Sequence, residues 1–536
     1  MHAVVQDVIS PSSSCQNMSC QNLILSAIHE AAQAAPASIA LQGAHGSMSY
    51  AELEQQIAQA ALQLAAMNDY AINDQASVMG LAMDNDPAWA VLDMAALQLG
   101  LTTIPLPYFF SPTQIIHAID DAGINRIISD QPVLIDQLLA AHGKQVLAKT
   151  HFQVAGKLVT QFTLTSAHAS VLPANTVKVT YTSGTTGNPK GVCLDVHAML
   201  QVAQSLRQAT HADSSDRHLS ILPLSTLLEN IAGLYVPLLA GATAILLPAA
   251  EVGLSGASGL NIAKMMAALH QSQATTTLLT PELLRALVMA LENGFARPEK
   301  LRFVAVGGAS VSPRLLQRAA AVGLPVYEGY GLSECASVVA LNTVDAHRPG
   351  TVGKPLPHVQ LQFAEDGEIL VAGACLLGYS GAASQPTQQY YATGDMGHLD
   401  ADGYLHITGR KKNMFITSFG RNVAPEWVER ELNLSPRIAQ AAVFGEARPW
   451  NIAVIVPAKD VNGNIAQVEE IDQAIAEVNA GLPDYARVSR WLFAETPYTP
   501  QNGQLTANGR LKREAIWQVY ANKINIMYEE KADVVL

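Results

Sequence analysis

A chain of 536 residues is too long for one ordinary hydrophobic core and requires at least two domains. With 49% hydrophobic and only 14% charged residues, it has the composition of a folded, core-rich protein, which excludes disorder. A net charge of −13 disfavours nucleic acid and anionic membrane as general partners, while a nucleotide needs only a local cationic or amide-rich site. Its five cysteines, Cys15, Cys20, Cys193, Cys335 and Cys375, form no CxxC pair and have no histidine at zinc-ligand spacing. Such scattered usage fits a reducing compartment, so a cytoplasmic location is expected. Met1 to Gln21 is rich in Ser and Gln, without a basic flank or apolar run, and no signal peptide is expected.

In chain order, Tyr50 to Met67 carries apolar residues at helical spacing, with Ser49 as its cap. Ser77 to Met83 predicts a short strand, and Pro87 to Leu99 a helix stopped by Gly100. Leu101 to Ile104 is the next strand, and the rhythm returns over Ile115 to Ser129, Leu219 to Leu247 and Thr275 to Gly307. Such alternation predicts an α/β fold: parallel-type sheets with helices on their faces. Ile231 to Ala250 carries no charge and is long enough to span a bilayer. Pro237, Gly241 and Pro248 break it, so a helix, a turn and a core strand are expected instead, in a soluble protein with no transmembrane segment. From about Val352 the segments become short, Gly-rich and strand-like, as in Gln360 to Phe363, Glu368 to Val371 and Leu405 to Thr408. A basic break at Arg410-Lys-Lys412 precedes a helix (Glu426 to Leu434), strands (Ala441 to Phe444 and Ile452 to Val456) and a terminal helix. The expected division is therefore residues 1–411 and 412–536.

The strongest chemical signal is Val179-Thr-Tyr-Thr-Ser-Gly-Thr-Thr-Gly-Asn-Pro-Lys-Gly-Val192. A β run leads into glycines that let backbone amides approach a polyanion, hydroxyls that add donors, and Lys190, which adds charge. The physics is that of a phosphate loop, although the spacing is not GxxxxGK[ST]. Further along stand Gly307-Gly-Ala309, Glu328-Gly-Tyr-Gly-Leu-Ser-Glu334, Tyr391-Ala-Thr-Gly-Asp395 and Gly409-Arg-Lys-Lys412. Tyr330 between two glycines offers a ring face for stacking on a base, Glu334 is a hard oxygen ligand, and Asp395 suits a diol. Singly, these residues are equally consistent with structural duty: Glu334 capping a helix, Asp395 closing a turn.

Together and in this order, from about Leu41 to Val519, they resemble the adenylate-forming superfamily of acyl-CoA synthetases, luciferases and adenylation domains. The resemblance implies a large N-terminal domain with two sheets sandwiched by helices, a small β-rich subdomain and a small mobile α+β C-terminal domain. It implies a phosphate loop of Thr182, Ser183, Gly184, Thr185, Thr186 and Gly187, with Lys190 catalytic. Gly307, Gly308 and Ala309 would contact adenine, as would the segment of Glu328, Gly329, Tyr330, Gly331 and Ser333. Glu334 would hold Mg2+, Asp395 and Arg410 the ribose, and Lys412 would be the hinge. ATP and CoA are the implied cosubstrates: a carboxylate attacks the α-phosphate, then a thiol attacks the acyl-adenylate and expels AMP.

The chain also departs from the pattern. In Leu505-Thr-Ala-Asn-Gly-Arg-Leu-Lys-Arg513, Arg510 occupies the catalytic lysine position, and Lys512 is the candidate to share its duty. Thr226 stands where relatives usually have histidine beside the acyl and thiol tunnels. No acidic residue lies between Ser220 and Leu228 to hold the ammonium of an amino acid, and no carrier-protein domain is expected. Asn413 to Pro425, Ile104 to Pro107 and Ser111 to Ile115 resemble long-chain fatty acyl-CoA synthetases, with Phe419 replacing a glycine before Gly420 on the pantetheine path. The expected activity is acyl-CoA synthesis from a medium- or long-chain fatty acid. Its rivals are a fatty acyl-AMP ligase serving an acyl carrier protein, an aryl or small-acid ligase, and a catalytically weak acyl- or nucleotide-binding relative. The histidines, among them His117, His142 and His197, show no paired pattern.

Overall fold

The computed structural model describes residues 13–67, 77–165, 172–182, 189–255, 259–381, 389–459, 463–506 and 509–529, with side chains from residue 23 onward. Two sheets dominate the N-terminal part. In the first, the strands Val326–Leu332, Phe303–Val306, Thr276–Leu279, Arg217–Leu219, Thr243–Leu246 and Ile39–Gly43 run parallel in that spatial order. Antiparallel strands complete both edges. In the second, Lys178–Thr182, Thr102–Pro105, Val78–Ala82 and Arg126–Ser129 are parallel. The antiparallel hairpin Val146–Val154 with Lys157–Leu164 closes one side, and Lys190–Leu194 and Gly378–Tyr379 close the other. Parallel strands require crossovers, and the intervening helices supply them.

Local signals set several of these helices. Tyr50–Ala66 starts with a capping box in which Ser49 and Glu52 satisfy each other's amides. Pro87–Leu99 takes Asp86 as N-cap, Pro87 in its first turn and Gly100 in the left-handed conformation beyond its end. Ala88 to Leu97 are all buried, so this helix is enclosed by neighbours on every side. Each of Trp89, Leu92 and Met94 contributes about 1.5–3 kcal/mol through burial. The uncharged stretch from Ile231 resolves as expected into helix, a left-handed Gly241 and the strand Thr243–Leu246. No helix among the described residues is long and apolar enough to cross a membrane. One feature departs from ordinary helix: Asn230–Tyr235 is a π-helical turn.

That turn delivers two residues to a buried polar knot. Lys178 Nζ donates to Asp93 Oδ1 at 2.7 Å and to Asn230 Oδ1 at 2.7 Å, while the Tyr235 hydroxyl donates to Asp93 Oδ2 at 2.9 Å. Lys178 and Asp93 are both fully buried. Burial pulls the lysine down from its ordinary range, and Asp93 opposes that shift. The knot joins the enclosed helix, the strand leading to the phosphate-loop segment and the π-helical turn.

A four-stranded antiparallel sheet follows: Gln360–Phe363, Glu368–Ala372, Tyr391–Leu399 and Leu405–Arg410. The smaller C-terminal domain has its own sheet, Ile438–Phe444, Asn451–Pro457 and Val488–Phe493. The helices Pro425–Leu432 and Val468–Asn479 pack on one apolar cluster, and Arg513–Glu529 on another. Arg513, first residue of the terminal helix, pairs with buried Glu429 at 2.5 Å and donates to the Val443 carbonyl at 3.0 Å.

Removing one partner of the buried knot strands a charge. Lys178→Met is expected to lower stability by about 3–5 kcal/mol, read as a lower denaturation midpoint. The double variant Lys178→Met, Asp93→Leu should recover most of that loss. A single variant as stable as the parent would show that the pair does not hold this junction.

Candidate active site

The candidate site forms where strands end. Phe303–Val306 gives way to Gly307, whose amide still donates to the Leu279 carbonyl, and then to Gly308 at φ +83°. That left-handed turn suits glycine and leaves the Gly308 carbonyl free of the ladder. Arg510, from the C-terminal domain, donates Nη2 to this carbonyl at 2.7 Å. Ala309 is exposed beside it.

The adjacent strand Val326–Leu332 carries the second motif. Glu328 is buried; one carboxyl oxygen accepts the Gly350 amide at 2.9 Å, and Arg430 of the C-terminal domain lies within electrostatic range. Burial pushes this carboxyl up to about 7, against the opposing pull of the amide and Arg430. A bulge falls between Tyr330 and Gly331 in the pairing with Ser337–Leu341. A side chain at Gly331 would run into the Ser337 carbonyl, and one at Gly329 would press on Leu341, so both positions need glycine's small size. The half-buried Tyr330 donates its hydroxyl to Asp395 Oδ2 at 2.7 Å. Ser333 and Glu334 occupy a single 3-10 turn ending at Ala336 (φ 49°) and Ser337 (φ 100°). Two successive non-glycine residues there mark a strained backbone.

Asp395 lies directly across the hairpin from Arg410, and Arg410 Nε reaches its Oδ1 at 2.7 Å. Burial pushes the Asp395 carboxyl up, opposed by Arg410, the Tyr330 hydroxyl and Arg510. On the other wall, Thr182 and Lys190 are cross-strand partners that fix where the phosphate-loop segment leaves and returns. Ser183, Gly184, Thr185, Thr186 and Gly187 lie outside the described residues. Lys190 Nζ stands 5.4 Å from the centre of the Tyr379 ring. Tyr379 in turn donates its hydroxyl to Glu334 Oε1 at 3.3 Å and is 3.0 Å from the Tyr391 hydroxyl.

Lys412 completes a cationic group. Burial pulls its ammonium down from the ordinary lysine range, and Arg410, Arg510 and Lys190 add to that shift by repulsion. Four cations, Lys190, Arg410, Lys412 and Arg510, thus converge with Asp395 and Glu334. Such an arrangement receives a polyanion. Glu334 suits magnesium: its Oε2 has no partner among the described residues, and a divalent ion takes one or two carboxylates with phosphate oxygens completing its shell.

Not every sequence-selected residue joins this group. Lys512 donates only its amide, to the Gln504 carbonyl, and its side chain has no hydrogen bond or ion pair among the described residues. Thr226 turns its hydroxyl back onto the Pro223 carbonyl at 2.7 Å. Phe419 is 74% exposed beside Gly420 (φ +71°), and its ring meets no other ring or cation among the described residues. Tyr379 carries no motif signal in the sequence. Neither does the contact in which Ser312 donates to Glu431 of the C-terminal domain at 3.3 Å.

The raised Glu328 carboxyl has a definite sign. Its folded value lies above the usual 4.5, so its contribution to stability is complete below about pH 4.5 and lost as pH rises towards 7. Glu328→Gln keeps an acceptor for Gly350 but removes the charge. Its melting temperature should match the parent near pH 4.5 and exceed it increasingly towards pH 8; a constant difference would contradict this.

Known proteins share the fold. Family models described as "AMP-binding enzyme" and "AMP-binding enzyme C-terminal domain" match residues 28–379 and 412–532. A Mycobacterium bovis protein named long-chain-fatty-acid–CoA ligase is 27% identical over 518 residues, covering 83% of this chain and 86% of that one. An indoleacetate–CoA ligase of Aromatoleum aromaticum is 28% identical, covering 66% of this chain and 68% of its own. Among solved structures, the anthranilate CoA ligase AuaEII bound to anthranoyl-AMP superposes with a TM-score of 0.74 at 19% identity, covering 92% of this chain and 96% of that one. The Bacillus subtilis o-succinylbenzoate CoA synthetase with its acyl-adenylate gives 0.70 at 22% identity, over 91% and 97%. With more than half its length matched by the family model, this chain belongs to the AMP-binding, adenylate-forming enzymes.

Proposed function

We propose that the protein joins a medium- or long-chain fatty acid to CoA in the cytoplasm, at the expense of ATP, through an acyl-adenylate. The observation that carries this is the Arg510–Gly308 contact, which sets a C-terminal cation among Lys190, Arg410 and Lys412. The acid's carboxylate attacks the α-phosphate and pyrophosphate leaves; the thiol of CoA then attacks the acyl carbon and AMP leaves. In the first step the four cations neutralise developing phosphate charge, a contribution made by fixed groups before the reaction begins. Asp395 and Arg410 hold the ribose, Tyr330 and Gly307–Ala309 frame the adenine, and the segment 182–187 binds the phosphates. Glu334 holds magnesium, which when bound neutralises phosphate oxygens. Arg510 presents a planar fork suited to two phosphate oxygens at once.

Residues 1–411 and 412–536 are proposed to act as separate bodies with Lys412 as the hinge. The face carrying Arg510 serves adenylation, and a second face, with Phe419 and Gly420 on the thiol path, serves thioester formation. Thr226 is proposed to line the acyl or thiol tunnel. The fatty acid is favoured by the relative matched along 83% of the chain. A second reading, an aryl acid, is favoured by the indoleacetate and 2-succinylbenzoate ligases at similar identity.

Pyrophosphate and AMP release with Mg-ATP, across fatty and aromatic acids with and without CoA, tests the proposal. CoA-dependent AMP release with fatty acids is expected. Release confined to aromatic acids selects the second reading; pyrophosphate without thioester moves the acceptor to a carrier protein; silence with every acid overturns the assignment.

The same assay reads single residues. Arg510→Ala should cut pyrophosphate release by about 10²–10³-fold, with Lys512→Ala losing much less. Lys412→Pro should impair one half-reaction and spare the other. Equal loss of both halves would remove Lys412 from the hinge.

A further inference from the structure

Cys335 and Cys375, forty positions apart in sequence, bring their sulfurs to 3.8 Å. Both are free thiols; Cys335 is 1% exposed and Cys375 half-buried. A disulfide needs its sulfurs at about 2.05 Å, so an approach of about 1.8 Å closes the bond. Their position gives the pair its interest. Cys335 follows Glu334 directly in the 3-10 turn and precedes the strained Ala336 and Ser337. Cys375 precedes Leu376, whose amide donates to the Glu334 carbonyl at 2.8 Å, and four residues later Tyr379 holds the Glu334 carboxylate. Both sulfurs therefore belong to the two segments that place this carboxylate.

We propose that Cys335 and Cys375 form a reversible disulfide that displaces Glu334 and switches nucleotide activation off. The oxidant is a peroxide. The Cys375 thiolate attacks one peroxide oxygen, so an S–O bond forms and the O–O bond breaks; the departing hydroxide takes the proton the thiol gave up and leaves as water, giving a sulfenic acid. The Cys335 sulfur then attacks the Cys375 sulfur: the S–S bond forms, the S–O bond breaks, and the hydroxide departs as water with the Cys335 proton. Two thiols are oxidised and one peroxide is reduced to two waters. Solvent access makes Cys375 the attacking residue. Buried Cys335 is the resolving partner. The turn has little slack to absorb the motion, because Ala336 and Ser337 already hold unfavourable backbone angles.

The cross-link stands apart from the proposed function, whereas its effect on Glu334 rests on that reading. Full-length protein treated with hydrogen peroxide should yield, on non-reducing digestion and mass spectrometry, a peptide joining Cys335 to Cys375 that dithiothreitol dissolves. Pyrophosphate release should fall about 10²-fold in step with that peptide and return on reduction. Cys375→Ser should keep its activity through the same treatment. Binding of Mg-ATP, followed by calorimetry, should weaken in the cross-linked protein, and this readout stands even if no tested acid is activated. Cys375 recovered only as sulfinic acid, with no joined peptide, would overturn the proposal; so would a cross-linked protein that binds and releases as the reduced one does.

Discussion

Like charges do not gather without cause, and the crowding of Lys190, Arg410, Lys412 and Arg510 is the constraint on which the site depends. In a chain of net charge −13, four cations around two acids amount to a local reversal of sign. Burial depresses Lys412, the three other cations depress it further, and a polyanion relieves that repulsion. The site is therefore least comfortable when empty. Asp395 restrains Arg410 from one side, and Tyr330 restrains Asp395 from the other, so the cluster is held by hydrogen bonds rather than by solvent. Repulsion between Arg510 and the cations of the N-terminal part also means that ligand charge and domain contact are linked: what stabilises one stabilises the other.

The scaffold answers that demand with rigidity in the right places. The Lys178–Asp93 knot fixes the strand feeding the phosphate-loop segment to a helix enclosed by the core. Gly331 and Gly329 let the strand bearing Tyr330 approach its neighbour closely enough to aim the ring. Among the described residues, contacts across the two parts include Arg510 to Gly308, Ser312 and Arg314 to Glu431, Arg430 towards Glu328, and Leu434 against the apolar cluster of the N-terminal part.

Much of this was legible in the sequence where the signal is local. Ser49 with Glu52, Gly100, and the break at Gly241 are short-range rules that the structure obeys residue for residue. The motifs were also legible as motifs, since glycines, a carboxylate and a cation stand in fixed order. Other features had no local sign. Lys178 reads as an ordinary strand residue, and only the fold shows it buried opposite Asp93, 85 positions away. The π-helical turn needs tertiary packing to exist, and Tyr379 reaches Glu334 across 45 residues. Lys512 and Arg510 look interchangeable in the sequence, yet the fold sends only the arginine to Gly308, because direction along a short extended segment is set by what anchors its ends.

That anchor has a mechanical meaning. Arg513 is clamped to Glu429 and to the Val443 carbonyl, three residues beyond Arg510. The guanidinium of Arg510 thus rides on a short arm bolted to the C-terminal sheet, with the terminal helix as its backing plate. Its presence at Gly308 reports the position of an entire domain, as the tooth of a gear reports the angle of the shaft.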